Sequence, residues 1–332
     1  MTAIHEPVIG RYMSLTLEGV EFRLYYEQSG EGDIPLVCLH TAGAHNAEWR
    51  HLLNDPYIRE HFTAYAFDLP FHGKSLPPEG QQWWTEEYRL TTAKFEGVIM
   101  EFITALGLER PVVIGSSMGG NITLKLAADH CDVVSAVIGL EAQAGGYEEK
   151  KPGAYLSVLY RPDVHGGEAS AELTVDLCAP TIPEKYRWEL WWLYTQEGAG
   201  VYNGDLYFFS HEWDIRDRLA EIDTTRCAVY LLTGEYDWSC TPADTIAAAE
   251  QIPGAKVTIC ENLGHFPMSE DWQLFMSYAR PVFDEVVANR PSVLMLAGLC
   301  GQPDNAPASP RRGGAPGSRR QATAITVTPT AS

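Results

Sequence analysis

Hydrophobic and polar positions in the first 140 residues alternate between strand-like and helix-like patterns. Apolar and polar residues alternate through 12–28 on both sides of Glu18-Gly19, which predicts a β-hairpin. Residues 91–107 and 118–129 carry apolar side chains at helical spacing, and Gly107 indicates where the first of these helices stops. Short, fully apolar runs predict buried strands at residues 35–40, 62–68, 111–115 and 133–140.

The same alternation of strands and helices returns after residue 226. Strands are predicted at 227–233 and 255–261, and helices at 242–251 and 269–288. Continuous apolar strands that alternate with helices are typical of a mostly parallel sheet with helices on both faces. The pattern therefore predicts an α/β fold.

Two segments interrupt this pattern. Residues 143–226, rich in Gly turns and aromatic side chains, lie between two predicted strands, and we interpret them as an inserted cap, or lid, over the strand ends. A helical excursion packed on the core is the alternative. Residues 289–332 are rich in Pro, Gly, Ala and Ser, which predicts a disordered tail. The predicted core domain then comprises residues 1–142 and 227–288.

Composition narrows the class of protein. Of 332 residues, 45% are hydrophobic, which excludes disorder over most of the chain. The net charge of -20 argues against a nucleic-acid partner, and the apolar runs are too short for a membrane helix. No secretory signal is visible, and the seven cysteines are irregularly spaced. We therefore expect reduced cysteines, a cytoplasmic location and no metal site.

The strongest chemical motif is Gly115-Ser116-Ser117-Met118-Gly119. It fits G-x-S-x-G and lies between a predicted strand and a predicted helix, which is the context that a serine nucleophile turn requires. Small residues two positions before and after the serine let the strand and the helix approach each other. Because Ser117, unlike Ser116, has Gly at both positions, we predict that Ser117 is the nucleophile.

A serine nucleophile needs a base and an acid that orients the base. His265 lies on a loop after the last predicted strand, and Asp237 lies just past the end of the strand at 227–233. We predict that His265 is the base and Asp237 the acid. Glu235 and Glu141, which also lie near strand ends, remain alternatives for the acid.

Residues 12–288 resemble the α/β-hydrolase superfamily, in its cap-bearing branch of serine esterases and carbon–carbon bond hydrolases. The resemblance implies an eight-stranded, mostly parallel sheet with helices on both faces, an inserted helical cap, and no cofactor. Five motifs carry it: the nucleophile turn, His40-Thr41-Ala42-Gly43, residues 68–75, Gly234-Glu235-Tyr236-Asp237 with Pro242, and Gly264-His265-Phe266-Pro267.

The same resemblance implies an oxyanion hole formed by the backbone N–H groups of Ala42 and Met118. Thr41 and Phe71 each stand where the family usually has Gly. The Thr41 hydroxyl then either donates a hydrogen bond to the substrate or caps its own loop, and Phe71 narrows the pocket. The expected pocket side chains are Thr41, Phe71, Trp191, Trp238 and Phe266.

These residues predict a serine hydrolase that cleaves a carboxylic ester through an acyl-enzyme. The aromatic side chains around the expected pocket favour a small apolar or aromatic substrate. A carbon–carbon bond hydrolase or lyase with the same triad is one alternative, and a ligand receptor with slow turnover is another. The intact triad argues against a non-enzymatic interaction protein. We expect a small-molecule substrate and no membrane partner, and the pattern carries no information on oligomeric state.

Overall fold

The computed structural model describes residues 3–145, 161 and 165–290, and the tail predicted at 289–332 lies almost entirely outside them. The described residues form one eight-stranded sheet with the order β1-β2-β4-β3-β5-β6-β7-β8. Its strands are β1 (Ile9–Leu17), β2 (Val20–Ser29), β3 (Ile34–Leu39), β4 (Phe62–Phe67), β5 (Val112–Ser116), β6 (Ala136–Leu140), β7 (Ala228–Gly234) and β8 (Lys256–Cys260).

The antiparallel part of the sheet is confined to one edge. β1 pairs with β2 in a hairpin whose two turn residues, Glu18 and Gly19, have φ angles of 52° and 80°. Such a left-handed pair matches the twist of the flanking strands. β2 is antiparallel to β4, and every later neighbour pair is parallel. The predicted hairpin and the mostly parallel sheet are therefore confirmed.

The helices of the core follow the predicted order. They are α1 (Arg50–Asn54), α2 (Pro56–His61), α3 (Thr92–Ala105), α4 (Met118–Asp129), α8 (Pro242–Glu250), α9 (Pro267–Glu270) and α10 (Trp272–Asn289), and three more belong to the insertion described below. The helix predicted at 269–288 is broken, because Asp271 leaves the helical region with φ −151° and ψ 86°. Short helices α1 and α2 were not predicted.

Both faces of the sheet are buried, as the continuous apolar strands predict. Along β5, Val113 packs into the cluster that holds Phe102 of α3, whereas Ile114 packs into the opposite cluster with Phe283 of α10. Successive side chains of a strand point to opposite faces, so a strand covered on both sides must be apolar throughout. None of the described helices is both long and apolar enough to cross a bilayer.

Residues 143–226, called the insertion from here on, connect β6 to β7. Their described part contains α5 (Gly167–Val175), α6 (Glu184–Tyr194), α7 (Val201–Tyr207) and a π-helical turn at Phe208–Glu212. The insertion is hydrogen-bonded to core loops: Leu90 N–H donates to Gly204 O, and His265 N–H donates to Leu177 O at 3.0 Å in both cases. Its helices thus lie against loops that carry predicted site residues.

The sharp turn from β5 into α4 depends on glycine. A Cβ at Gly115 would lie 2.2 Å from the carbonyl oxygen of Gly119, and a Cβ at Gly119 would lie 2.5 Å from that of Leu39. Neither contact is possible without moving the backbone. We therefore expect Gly115→Ala to lower the free energy of unfolding by about 1–3 kcal/mol, measured by urea denaturation.

Gly97→Ala is the matched control. It lies inside α3, where an added Cβ would meet only the flexible end of the Leu17 side chain. Ala is intrinsically more stable than Gly in a helix, by about 0.5–1 kcal/mol, so this variant should be neutral or more stable. Equal losses of unfolding free energy in Gly115→Ala and Gly97→Ala would contradict the conclusion that the turn from β5 into α4 depends on glycine.

Candidate active site

Ser117 occupies the turn between β5 and α4 in a strained backbone conformation, with φ 54° and ψ −112°. A non-glycine residue rarely adopts this region, and such strain concentrates at functional sites. Two hydrogen bonds hold the turn: Ser117 N–H donates to Leu140 O at 2.8 Å, and Asn121 N–H donates to Ser117 O at 2.7 Å. The serine is thereby presented at the carboxyl edge of the sheet.

His265 and Asp237 are in direct contact. The imidazole Nδ1 lies 2.7 Å from Asp237 Oδ2, while Asp237 Oδ1 accepts N–H bonds from Ser239 and Cys240 at 2.8 and 3.0 Å. Because an ionised carboxylate only accepts hydrogen bonds, Nδ1 carries the proton and Nε2 is left as the basic nitrogen.

The two alternative acids make other contacts. Glu235 is exposed and accepts the Asn262 N–H at 3.0 Å. Glu141 is buried, and its carboxylate accepts the Ser116 hydroxyl at 3.1 Å. Burial, reinforced by the nearby charge of Asp237, raises the pKa of Glu141 well above its usual range. The carboxylate that the fold brings to the imidazole is that of Asp237.

Ser117 and His265 line one small cavity of about 50 Å³. Both residues are nearly buried, with 6% and 4% of their surface exposed. The described lining contains no Lys, Arg, Asp or Glu, and much of it comes from the insertion. The other lining residues are Thr41, Ala42, Thr174, Leu177, Tyr194, Tyr202, Leu206, Phe209, Ser239 and Phe266.

Of the five side chains expected around the pocket, Thr41 and Phe266 line this cavity. Phe71, at φ 74°, lines a second cavity of about 500 Å³, where its ring packs 4.9 Å from that of Tyr88. Trp238 is 56% exposed, and its indole N–H donates to Asp176 O at 3.1 Å. Phe71 and Trp238 thus lie away from Ser117.

Trp191, the remaining expected pocket residue, is half-buried on α6, and its indole N–H donates to Glu172 at 2.9 Å. The buried positions of α6 follow helical spacing and are Tyr186, Leu190, Leu193 and Tyr194. Tyr194 therefore reaches the cavity where Trp191 does not. Its hydroxyl lies 2.6 Å from that of Thr41, so the Thr41 hydroxyl is engaged with the insertion.

The loop after β3 holds the predicted oxyanion donor Ala42 between two anchored peptides. Thr41 N–H donates to Glu48 Oε2 at 2.9 Å, and Gly43 N–H donates to Asp205 Oδ2 at 2.8 Å. Met118, the second predicted donor, is the first residue of α4, where backbone N–H groups have no intrahelical acceptor.

Sequence reasoning missed several buried carboxylates near the site, among them Glu48, Asp205 and Glu270. Glu270 accepts the N–H groups of Gly264, Phe266 and Ala179 at 2.8 to 2.9 Å, and so ties the histidine loop to the insertion. Burial raises its pKa, against the opposing effect of these three bonds. The sequence offers one clue to these residues, because Asp205 is a carboxylate inside the aromatic-rich stretch of the insertion. No comparable clue marks Glu48 or Glu270.

The titration of Glu48 should make stability depend on pH. Burial raises the pKa of this carboxyl to about 8, although its bond from Thr41 opposes the shift. From about pH 5 to pH 8 the unfolded chain has released the proton that the folded chain retains, so wild-type stability should fall as pH rises. Glu48→Gln does not titrate. Its melting temperature relative to wild type should therefore increase from pH 5 to pH 8.

Glu109→Gln is the control for this pH series, because Glu109 is exposed on the surface. Its melting temperature should track that of wild type at every pH. A Glu48→Gln difference that does not change with pH would contradict the raised pKa.

Comparison with known proteins places the chain in a family. The profile of the alpha/beta hydrolase family matches residues 36–277. A 2-hydroxy-6-oxononadienedioate/2-hydroxy-6-oxononatrienedioate hydrolase from Burkholderia vietnamiensis is 26% identical over 46% of this chain and 51% of its own length. The acetyltransferase component of an acetoin cleaving system from Cupriavidus necator is 29% identical over 37% of this chain and 30% of its own length.

Solved structures agree with this assignment at the level of the fold. A thermophilic esterase from Thermogutta terrifontis aligns over 83% of this chain and 99% of its own, with a TM-score of 0.72 and 19% identity. An enol-lactonase from Burkholderia xenovorans aligns over 82% of this chain and 100% of its own, with a TM-score of 0.68 and 19% identity.

The chain spans about half or less of the length of these two curated relatives. The family profile, in contrast, covers most of the chain, from β3 into α10. It includes the turn at Ser117, the segment with Asp237 and the loop with His265. Together with the eight-stranded sheet, this match shows that the chain belongs to the alpha/beta hydrolase family.

Proposed function

We propose that this protein is a serine hydrolase that cleaves a carboxylic ester of a small apolar or aromatic molecule through an acyl-enzyme on Ser117. One observation supports this most strongly. An imidazole whose Nδ1 is bonded to Asp237 shares a cavity with a serine on a strained strand-to-helix turn. This combination of nucleophile, base and orienting acid is what acyl transfer requires.

In the proposed mechanism, Ser117 Oγ attacks the ester carbonyl while His265 Nε2 takes the hydroxyl proton. Asp237 keeps the imidazole in the required tautomer and stabilises its charged form. The N–H groups of Ala42 and Met118 bind the developing oxyanion. His265 then gives the proton to the departing alcohol, and water repeats the sequence to release the acid and restore Ser117.

We further propose that the insertion is a cap. Its residues Thr174, Leu177, Tyr194, Leu206 and Phe209 line the cavity together with the core residues Ser117 and His265. A cover of this kind excludes water and strengthens the electrostatic interactions inside the site. The small cavity, whose described lining carries no Lys, Arg, Asp or Glu, favours a compact, uncharged acyl or alcohol group.

A carbon–carbon bond hydrolase is the second candidate, because the Burkholderia vietnamiensis relative is named for such an activity on a dicarboxylate. The described lining of the cavity contains no Lys or Arg to pair with a carboxylate, and the chain carries a net charge of -20. Both features favour a neutral ester over a dianion.

We propose a cytoplasmic location on the ground that the six described cysteines are free.

The nucleophile is tested with short p-nitrophenyl esters. We expect Ser117→Ala to reduce kcat at least about 1000-fold with little change in fold, because the acyl-enzyme can no longer form. A fluorophosphonate probe should label wild type and not this variant. Ser277→Ala is the control, since its hydroxyl bonds within α10 to Leu274 O. Retained turnover in Ser117→Ala would refute the assignment.

The same assay separates the candidate functions. Wild type that cleaves a vinylogous diketone and no ester would be a carbon–carbon hydrolase. Wild type that binds such compounds without turning them over would be a receptor. A panel of both compound classes, run on wild type and Ser117→Ala, distinguishes these outcomes.

The acid is tested by comparing Asp237→Asn with Glu235→Gln. An Asn amide can donate to Nδ1 and so favours the wrong imidazole tautomer, and kcat should fall about 1000- to 10,000-fold. Glu235 lies two residues away and bonds to Asn262 instead, so its variant should keep nearly full activity. A larger loss in Glu235→Gln than in Asp237→Asn would reverse the assignment of the acid.

A further inference from the structure

Asp205 of the insertion reaches into the core. It is fully buried on α7, and its Oδ2 accepts the Gly43 N–H and contacts His72 Nε2, both at 2.8 Å. His72 Nδ1 donates to Pro70 O at 2.9 Å. Burial alone would lower the pKa of His72, but the Asp205 carboxylate holds it above the usual value. The Asp205 side chain thus joins the insertion to two core loops.

Glu48 provides the matching contact on the other side of Ala42. Its Oε2 accepts the Thr41 N–H at 2.9 Å, and Ser269 donates a hydroxyl bond to Glu48 O at 3.0 Å. Glu48 is itself fully buried, so no water competes for this bond. The N–H groups of Thr41 and Gly43, immediately before and after Ala42, are therefore both held by buried carboxylates.

The peptide group that joins Thr41 to Ala42 is held by its carbonyl oxygen. Thr41 O accepts the Ala44 N–H at 3.2 Å and lies 2.8 Å from His40 Nδ1. His40 Nε2 accepts the Leu69 N–H at 3.2 Å, which leaves Nδ1 as the donor to Thr41 O. In a planar trans peptide the N–H points opposite to the C=O. Holding Thr41 O therefore sets the direction of the Ala42 N–H.

We infer that Asp205 and Glu48 are positioning residues for the oxyanion hole, each fixing one peptide next to the Ala42 N–H. This inference rests on the proposed function and assigns the insertion a part in the chemistry beyond covering the site. Without either anchor, rotation about the backbone bonds of Thr41 or Ala42 tilts the donor away from the oxyanion. A misplacement of about 1 Å typically costs on the order of 100-fold in rate.

The test compares Asp205→Ala with Asp205→Asn on a p-nitrophenyl ester. We expect kcat to fall about 10- to 100-fold in Asp205→Ala, with KM little changed, because the donor acts in the transition state. Asp205→Asn should recover most of the loss, since its amide oxygen, standing in the place of Oδ2, can still accept from Gly43 N–H and from His72 Nε2–H. Asp217→Ala, an exposed site on the same insertion, is the control and should match wild type.

Inhibition by a trifluoromethyl ketone gives a second measurement that a loss of stability alone would not change. The ketone forms an oxyanion on Ser117, so its inhibition constant should rise by about the factor by which kcat/KM falls. Wild-type kcat and ketone affinity in Asp205→Ala would overturn the inference. An Asp205→Asn variant no better than Asp205→Ala would also overturn it.

A second pair of variants covers the case in which Asp205→Ala does not fold. Glu48→Met removes the acceptor for the Thr41 N–H, whereas Glu48→Gln retains one. We expect kcat to be lower in Glu48→Met than in Glu48→Gln, as in Asp205→Ala compared with Asp205→Asn. Equal kcat values in that pair would overturn the inference. Absence of ester turnover by wild type, with no difference from Ser117→Ala, would instead refute the proposed function and, with it, the inference.

Discussion

Buried backbone N–H groups in the loops at the carboxyl edge of the sheet require acceptors, because an unpaired buried N–H costs free energy. Three buried carboxylates meet the requirement. Glu48 and Asp205 accept the N–H groups of Thr41 and Gly43, and Glu270 accepts those of Gly264, Phe266 and Ala179. The loop that carries the proposed oxyanion donor and the loop that carries His265 are held by these hydrogen bonds.

The geometry at Ser117, the proposed nucleophile, has a different origin. There the backbone itself is strained, and the close approach of β5 and α4 at Gly115 and Gly119 keeps Ser117 in its turn. The imidazole, by contrast, is placed by side-chain bonding to Asp237. The site thus combines a turn held by close backbone packing with loops held by side-chain hydrogen bonds.

Much of the fold was predictable from local pattern. The strands near residues 35–40 and 111–115, and the helix at 118–129, are read from apolar runs and helical spacing, which report burial directly. The break at Asp271 was not predictable, because both α9 and α10 carry helical composition and the interruption depends on the backbone angles of one residue. Glu235 and Asp237 likewise could not be separated by spacing, since they lie two residues apart.

The sequence by itself determined the α/β fold, the order of the three catalytic candidates along the chain and the position of the G-x-S-x-G turn. These depend on patterns within a few residues, or on a motif whose glycines are sterically required. Only the tertiary structure decided that Tyr194 and not Trp191 reaches the cavity, that Phe71 faces a different one, and that Asp205 holds Gly43. Such contacts join residues distant in the chain, such as 43 and 205, so they depend on how the insertion folds back onto the core.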